Sequence, residues 1–203
     1  MDLIRVENEL KKRLIYPYKW GRKQSDEWDT KTNFIYTTYN FETLLEKTAP
    51  FDEKVRDYAL NRWYNFWSAE AVENLFSLHE NVTSNKNKFD KLIDFTINTT
   101  CFDHKTTVFP IGFNQTVTYA KNNPDELIQW LYLNQSQEGR KHLKNRLFIV
   151  LVDKNNEHWK LKAEVTLLKS EIDIYVQNFN SDNLFNLNLE NNTILSDLIW
   201  VEN

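Results

Sequence analysis

Apolar residues along this chain follow first a helical period, then an alternating one, then a continuous run. VENELKKRLI near the start is amphipathic and predicts a short helix, followed by a loop through the basic and aromatic stretch YPYKWGRKQSDEWD, which Pro17 and Gly21 interrupt. From Pro50 onward, Val55, Tyr58, Ala59, Trp63, Phe66 and Trp67, then Val72, Leu75 and Phe76, fall at helical spacing. The run is longer than most globular helices, so the pattern predicts two, broken near Ser68, with that serine capping a second helix from Ala69 to His79.

Beyond the polar run NKNK, the segment IDFTINTTCFDHKTTVF carries β-prone residues on both sides of Asn98-Thr99-Thr100, ending at Pro110 and Gly112, and predicts a β-hairpin. PDELIQWLYLNQSQEGRKHL predicts a helix that opens at Asn123-Pro124, acidic in its first turn and basic in its last. RLFIVLVD is a continuous apolar run, as in a strand covered on both faces. HWKLKAEVTLL and EIDIYVQNF predict two further strands joined at Lys169-Ser170, and the asparagine-rich QNFNSDNLFNLNLENN reads as surface loop. No repeat or Gly-, Pro- or Ser-rich linker divides the chain. The expected fold class is therefore α/β, a single domain over residues 1–203 with a central mixed β-sheet flanked by helices, residues 1–50 packing on the core as an N-terminal extension.

Composition narrows the function classes. The chain's 203 residues are ample for a buried core, and its single cysteine, Cys101, excludes an intramolecular disulfide and suits a reducing compartment. No apolar run reaches the roughly 18 residues of a membrane span, and the first twenty residues lack the apolar stretch of a secretory signal. The expectation is a cytoplasmic protein that makes no membrane contact. A net charge of -4 excludes an indiscriminate polyanion binder, so phosphates would be met by local patches. Three glycines, Gly21, Gly112 and Gly139, supply neither a phosphate-binding loop nor a nucleophile elbow.

The hairpin carries the chemistry. Strand side chains alternate, so Asp94, Thr96 and Asn98 share one face, as do Asp103, Lys105 and Thr107 on the partner strand. A two-residue loop at Asn98-Thr99 places Asp94 directly across from Asp103, with Lys105 projecting from the same face. Facing carboxylates repel and stay ionised most easily around a hard divalent cation. Such a metal polarises a phosphoryl group and acidifies bound water, while a lysine orients that water or steadies developing charge. The competing reading is a solvated Asp103–Lys105 ion pair with Asp94 capping a strand.

IDFTINTTCFDHKTT resembles the core of the PD-(D/E)XK, or restriction endonuclease-like, superfamily, with Asp94 as first acid and Asp103-His104-Lys105 as terminal motif. The resemblance implies a mixed sheet bearing the acids on a hairpin, preceded by a helix that contributes a glutamate and followed by a helix and further strands. It spans residues 68–176. It implies Asp94, Asp103 and Glu73 as ligands of Mg²⁺, with Mn²⁺ as substitute, and Lys105 as catalytic lysine; Glu70 and Glu80 are the other helix acids in reach. Ile93 stands where the family often has proline, and the two acids are closely spaced. Asp52-Glu53-Lys54 repeats the triplet inside a helical pattern, so position, not the triplet, carries the likeness.

Other residues read more plainly. His104 points to the face opposite Asp103, as a structural histidine beneath the sheet, and His79, His142 and His158 lack zinc-site spacing. Cys101 reads as a buried or half-buried thiol. Arg140, Lys141, Lys144 and Arg146 at a helix end, and Lys11, Lys12, Arg13, Lys19, Arg22 and Lys23 among Tyr16, Tyr18 and Trp20, are candidates for a DNA surface or solvated helix faces. Gln135 and Gln137 stand where some superfamily members support the lysine. The expectation is a Mg²⁺-dependent deoxyribonuclease resembling small type II restriction endonucleases, with DNA as partner and a homodimer as the form that cuts both strands. Its alternative is a catalytically inactive restriction-endonuclease-like domain serving as a DNA-binding or interaction subunit.

Overall fold

The computed structural model describes residues 1–19, 26–85, 93–134, 144–189 and 192–203, and the chain divides into two compact units. One is Met1–Val72 with Lys162–Thr166; the other is Glu73–Leu161 with Leu167–Asn203. Trp20, Arg22, Lys23, Gln135, Gln137, Arg140, Lys141 and His142 lie outside the described residues.

The first unit is helical. Helix α1 (Leu3–Lys12) starts at Asp2, whose carboxylate accepts the Arg5 N–H at 3.1 Å. Helix α2 (Asp26–Thr32) follows, and α3 (Phe41–Thr48) is capped by Asn40, which accepts the Thr43 N–H at 2.9 Å. Helix α4 (Glu53–Phe76) begins on Asp52, whose Oδ1 accepts the Lys54 and Val55 N–H groups at 3.0 and 3.1 Å. The Asp52-Glu53-Lys54 triplet is thus a helix start.

Contrary to the expected break, α4 runs unbroken for 24 residues. Ser68 does not cap; its hydroxyl donates to the Asn65 carbonyl at 3.1 Å inside the helix. Packing sustains the length: Tyr58, Leu60, Trp63, Tyr64 and Val72 are fully buried, so α4 has no solvated side wide enough to end it. The Trp63 indole N–H donates to the Thr38 carbonyl at 2.6 Å. Arg13 belongs to neither a DNA surface nor a solvated face. It is fully buried and donates to the Tyr16 and Pro17 carbonyls at 2.6 and 2.9 Å and to Asn61 Oδ1. Lys11 pairs with Glu7 and Glu164, and Lys12 with Glu9 and Glu42, which neutralises that end of α1.

The second unit is α/β, built on a six-stranded mixed sheet in the order β1-β2-β3-β4-β6-β5. Strands β1 (Val82–Ser84), β2 (Phe95–Ile97) and β3 (Thr100–Val108) form an antiparallel meander. Helices α5 (Val117–Asn122) and α6 (Pro124–Asn134) then cross over to β4 (Arg146–Val152), which lies parallel to β3. As its apolar run predicts, β4 is covered on both faces, its five middle residues being buried. Leu127, Ile128 and Leu131 of α6 pack with Phe148 and Val150 on one face.

HWKLKAEVTLL and EIDIYVQNF form no strands. They fold into a 3-10 segment (His158–Ala163) and helix α7 (Val165–Gln177). Val165, Leu168, Ile172 and Val176 are buried at helical spacing, a stripe obscured in sequence by the β-prone valines and isoleucines around it. The C-terminal strands come later: β5 (Phe185–Leu189), in the stretch expected as loop, pairs antiparallel with β6 (Asn192–Glu202) beyond it, and β6 runs parallel to β4. Phe185, Leu187 and Leu189 face inward while Asn186 and Asn188 are exposed, so the asparagines are the outer side of an edge strand. Cys101, expected buried or half-buried, is exposed. It shares a hairpin face with Thr96, 3.3 Å away, opposite the face on which Phe95, Ile97 and Phe102 are buried. Among the described residues no helix is long and apolar enough to cross a membrane.

Phe148, with no exposed surface at the sheet centre, and Ile111, 91% exposed, give a direct test of this core. Phe148→Ala is expected to cost about 3–5 kcal/mol in denaturant unfolding and Ile111→Ala under about 0.5 kcal/mol. Equal losses would refute the packing described.

Candidate functional site

The register Phe95↔Phe102, Thr96↔Cys101 and Ile97↔Thr100 leaves Asn98-Thr99 as the hairpin turn. Asn98 takes the left-handed conformation, φ 53°, which asparagine tolerates better than most residues. Extending this register sets Asp94 opposite Asp103. Asp94, however, stands just ahead of β2, free of strand alternation, and its side chain turns along the sheet edge. Its Oδ2 accepts the His104 backbone N–H at 2.8 Å and lies 2.8 Å from His104 Nδ1.

His104 projects from the face that carries Phe95 and Phe102. Its ring stacks near Phe95 (centroids 6.0 Å apart) and Phe76 (6.5 Å), leaving 6% of the side chain exposed. The Phe76 and Phe95 rings stack on each other at 4.2 Å, fixing the end of α4 against the hairpin. Glu73 lies nearly one turn before Phe76 on that helix. Glu73, Asp94 and His104 each offer a ligand atom within 4.8 Å of the others, the only such group among the described residues.

Asp103 projects from the opposite face. Parallel pairing sets it beside Arg146, whose Nε donates to Asp103 Oδ2 at 2.5 Å and whose terminal nitrogen reaches the same oxygen. The guanidinium carbon lies 5.8 Å from both the Tyr132 and Phe148 ring centroids. The Asp103 and Asp94 carboxyls are close enough to influence each other's charge. Lys105 is half-buried in β3, in register with Phe148, on the strand face of Asp103. Of the residues singled out in the sequence, Glu73 and Asp94 thus meet, Asp103 adjoins Asp94 while held by Arg146, and Glu70 and Glu80 stand outside the ligand group.

The charges are interdependent. Burial acts to raise the Asp94 carboxyl, but the hydrogen bonds and charge of His104 outweigh it and hold the group below its usual value. Burial raises Asp103 and the Asp94 charge adds to it, so Asp103 sits above its usual value despite Arg146. For His104, burial acts to lower the value; Asp94 chiefly, then Glu73 and Asp103, raise it above an ordinary imidazole. A cation at Glu73, Asp94 and His104 would supply positive charge beside the two carboxylates.

Two members of this site escaped the sequence reading. Strand alternation puts His104 beneath the sheet, on the face that carries Phe95 and Phe102, but its contact with Asp94 depends on that residue breaking alternation. Arg146 was assigned to a helix end, whereas it opens β4. A charged residue leading an apolar strand was the available signal, and the β3–β4 register, which identifies its partner, is not local information.

Compared with protein-family models, with curated proteins and with solved structures, the chain matches none.

The raised imidazole gives a signed expectation. Because folding raises its pKa, the stabilisation from His104 is fully present below its unfolded value near 6.5 and is lost as pH rises through the folded value. His104→Gln should therefore depress Tm relative to wild type more at about pH 6 than at about pH 9. A Tm difference independent of pH would contradict the charged pairing.

Proposed function

We propose that the second unit is a metal-dependent endonuclease that hydrolyses DNA phosphodiester bonds, resembling a small type II restriction endonuclease of the PD-(D/E)XK superfamily. The observation that carries this reading is the meeting of Glu73, from the helix before the hairpin, with Asp94, next to Asp103, on the hairpin itself. The order of α4, the β2–β3 hairpin, α6 and a strand parallel to β3 is also the order that the resemblance implies.

The donor set suits a divalent cation such as Mg²⁺ or Mn²⁺: two carboxylates, exposed Glu73 and partly buried Asp94, within reach of one point, and a third, Asp103, beside them, where burial of the two aspartates penalises uncompensated charge. When bound, the metal supplies Lewis-acid polarisation of the phosphoryl group and a more acidic water. Glu73 and Asp94 would hold it, with Asp94 oriented by the His104 backbone N–H and Asp103 held beside them by Arg146. Lys105, two residues beyond Asp103 and on the strand face opposite His104, is assigned to steadying charge on the phosphate rather than to the ion itself. Arg146, beside Asp103, adds positive charge at the same edge. Two copies of the chain would bring two centres to the two DNA strands.

One observation favours the second reading, an inactive nuclease-like domain that binds DNA or a partner. The Asp94–His104 and Asp103–Arg146 pairs neutralise each other with no cation, as a purely structural network would.

Plasmid cleavage in Mg²⁺ or Mn²⁺ separates the two. The nuclease reading expects metal-dependent nicking, with Asp94→Asn and Lys105→Ala each lowering the rate by about 10²–10³-fold at unchanged folding. Absence of metal-dependent cutting by the wild type would establish the inactive domain instead.

A further inference from the structure

We propose that His104, rather than Asp103, is the third protein ligand of this centre. The set Glu73, Asp94 and His104 would then take a first-row transition dication in preference to Mg²⁺. The inference rests on the metal-dependent reading above and concerns which side chains hold the ion.

Geometry separates the two candidates. His104 Nδ1 and Asp94 Oδ2 are 2.8 Å apart, close to the edge of roughly 3 Å that neighbouring ligands span at metal bonds of about 2.1 Å. Both belong, with Glu73, to a group already drawn within 4.8 Å, so an ion would need only small shifts of side chains. The His104 backbone N–H holds the same carboxylate at 2.8 Å, and the ring is wedged against Phe95 and Phe76, so both ligands are oriented before any ion arrives. Asp103 is committed elsewhere. Two guanidinium nitrogens of Arg146 share its Oδ2, and withdrawing it would strand a guanidinium whose side chain is 11% exposed.

Ligand chemistry then sets the preference. Mg²⁺ favours oxygen donors in a strict octahedron and sheds water reluctantly, whereas an imidazole nitrogen suits the later divalent metals. Replacing Asp103 by His104 in the donor set moves the centre toward the second class. His104 is also the residue between the two motif positions, which strand alternation alone would dismiss.

The full chain loaded with Mn²⁺ provides the test. Pulsed EPR of the wild type should show ¹⁴N coupling from a directly bound imidazole, a readout that needs no variant. Titration should show His104→Gln weakening Mn²⁺ binding by about 10–100-fold, with Asp103→Asn keeping the ¹⁴N signal and Mg²⁺ displacing Mn²⁺ only in more than about tenfold excess. Mn²⁺ bound without ¹⁴N coupling, or affinity lost in Asp103→Asn but kept in His104→Gln, would overturn the inference and leave the nuclease reading standing on Asp94 and Asp103. Coupling present without DNA cleavage would keep the inference and remove the nuclease. Failure of the wild type to bind Mn²⁺ would overturn both.

Discussion

Strand β3 is the constraint from which the candidate site follows. It pairs antiparallel with β2 on one side and parallel with β4 on the other, and both registers include apolar pairs, Phe95↔Phe102 and Val108↔Leu151 among them. A slip of one residue in the β2–β3 pairing would turn Phe95 and Ile97 away from the face where Phe102 is buried, so burial holds that register in place. Once they are set, Asp103 must meet Arg146 and the His104 amide must face Asp94.

On that frame the aromatic contacts set the distance between helix and sheet. Phe76 stacks on Phe95, His104 lies against both, and Glu73 is carried along because it shares the last turns of α4 with Phe76. Aromatic packing of Phe76 on the hairpin therefore carries the Glu73 carboxylate toward Asp94 and His104.

Burial also decides the electrostatics. In water, Asp94, Asp103 and His104 would titrate nearly independently; beneath helices they cannot, since an isolated charge there is costly. The result is one depressed carboxyl, one raised carboxyl and a raised imidazole, with Arg146 as fixed counter-charge. The same chemistry that lets this group persist without a cation makes it responsive to one, because each ligand already bears or neighbours a positive partner that a metal can replace.

Much was legible in the chain alone. The run RLFIVLVD can be satisfied only by a strand covered on both faces, and the β-prone residues flanking Asn98-Thr99 accept only a tight hairpin, because these patterns are local consequences of period and turn chemistry. Asp94, Asp103 and Lys105 could be picked out for the same reason. The segment around Val165 and Ile172 shows the limit. Its β-prone residues suit a strand, and only the surface it covers makes it a helix, as α7. FNLNL was the reverse case, an alternating strand masked by its asparagines, which become sensible once β6 provides an edge to pair with. The roles of His104 and Arg146 were beyond sequence reading, since each depends on a residue brought alongside by register or by a side chain leaving its strand. Local periodicity determined which elements could form; the burial of one against another decided which charges would meet.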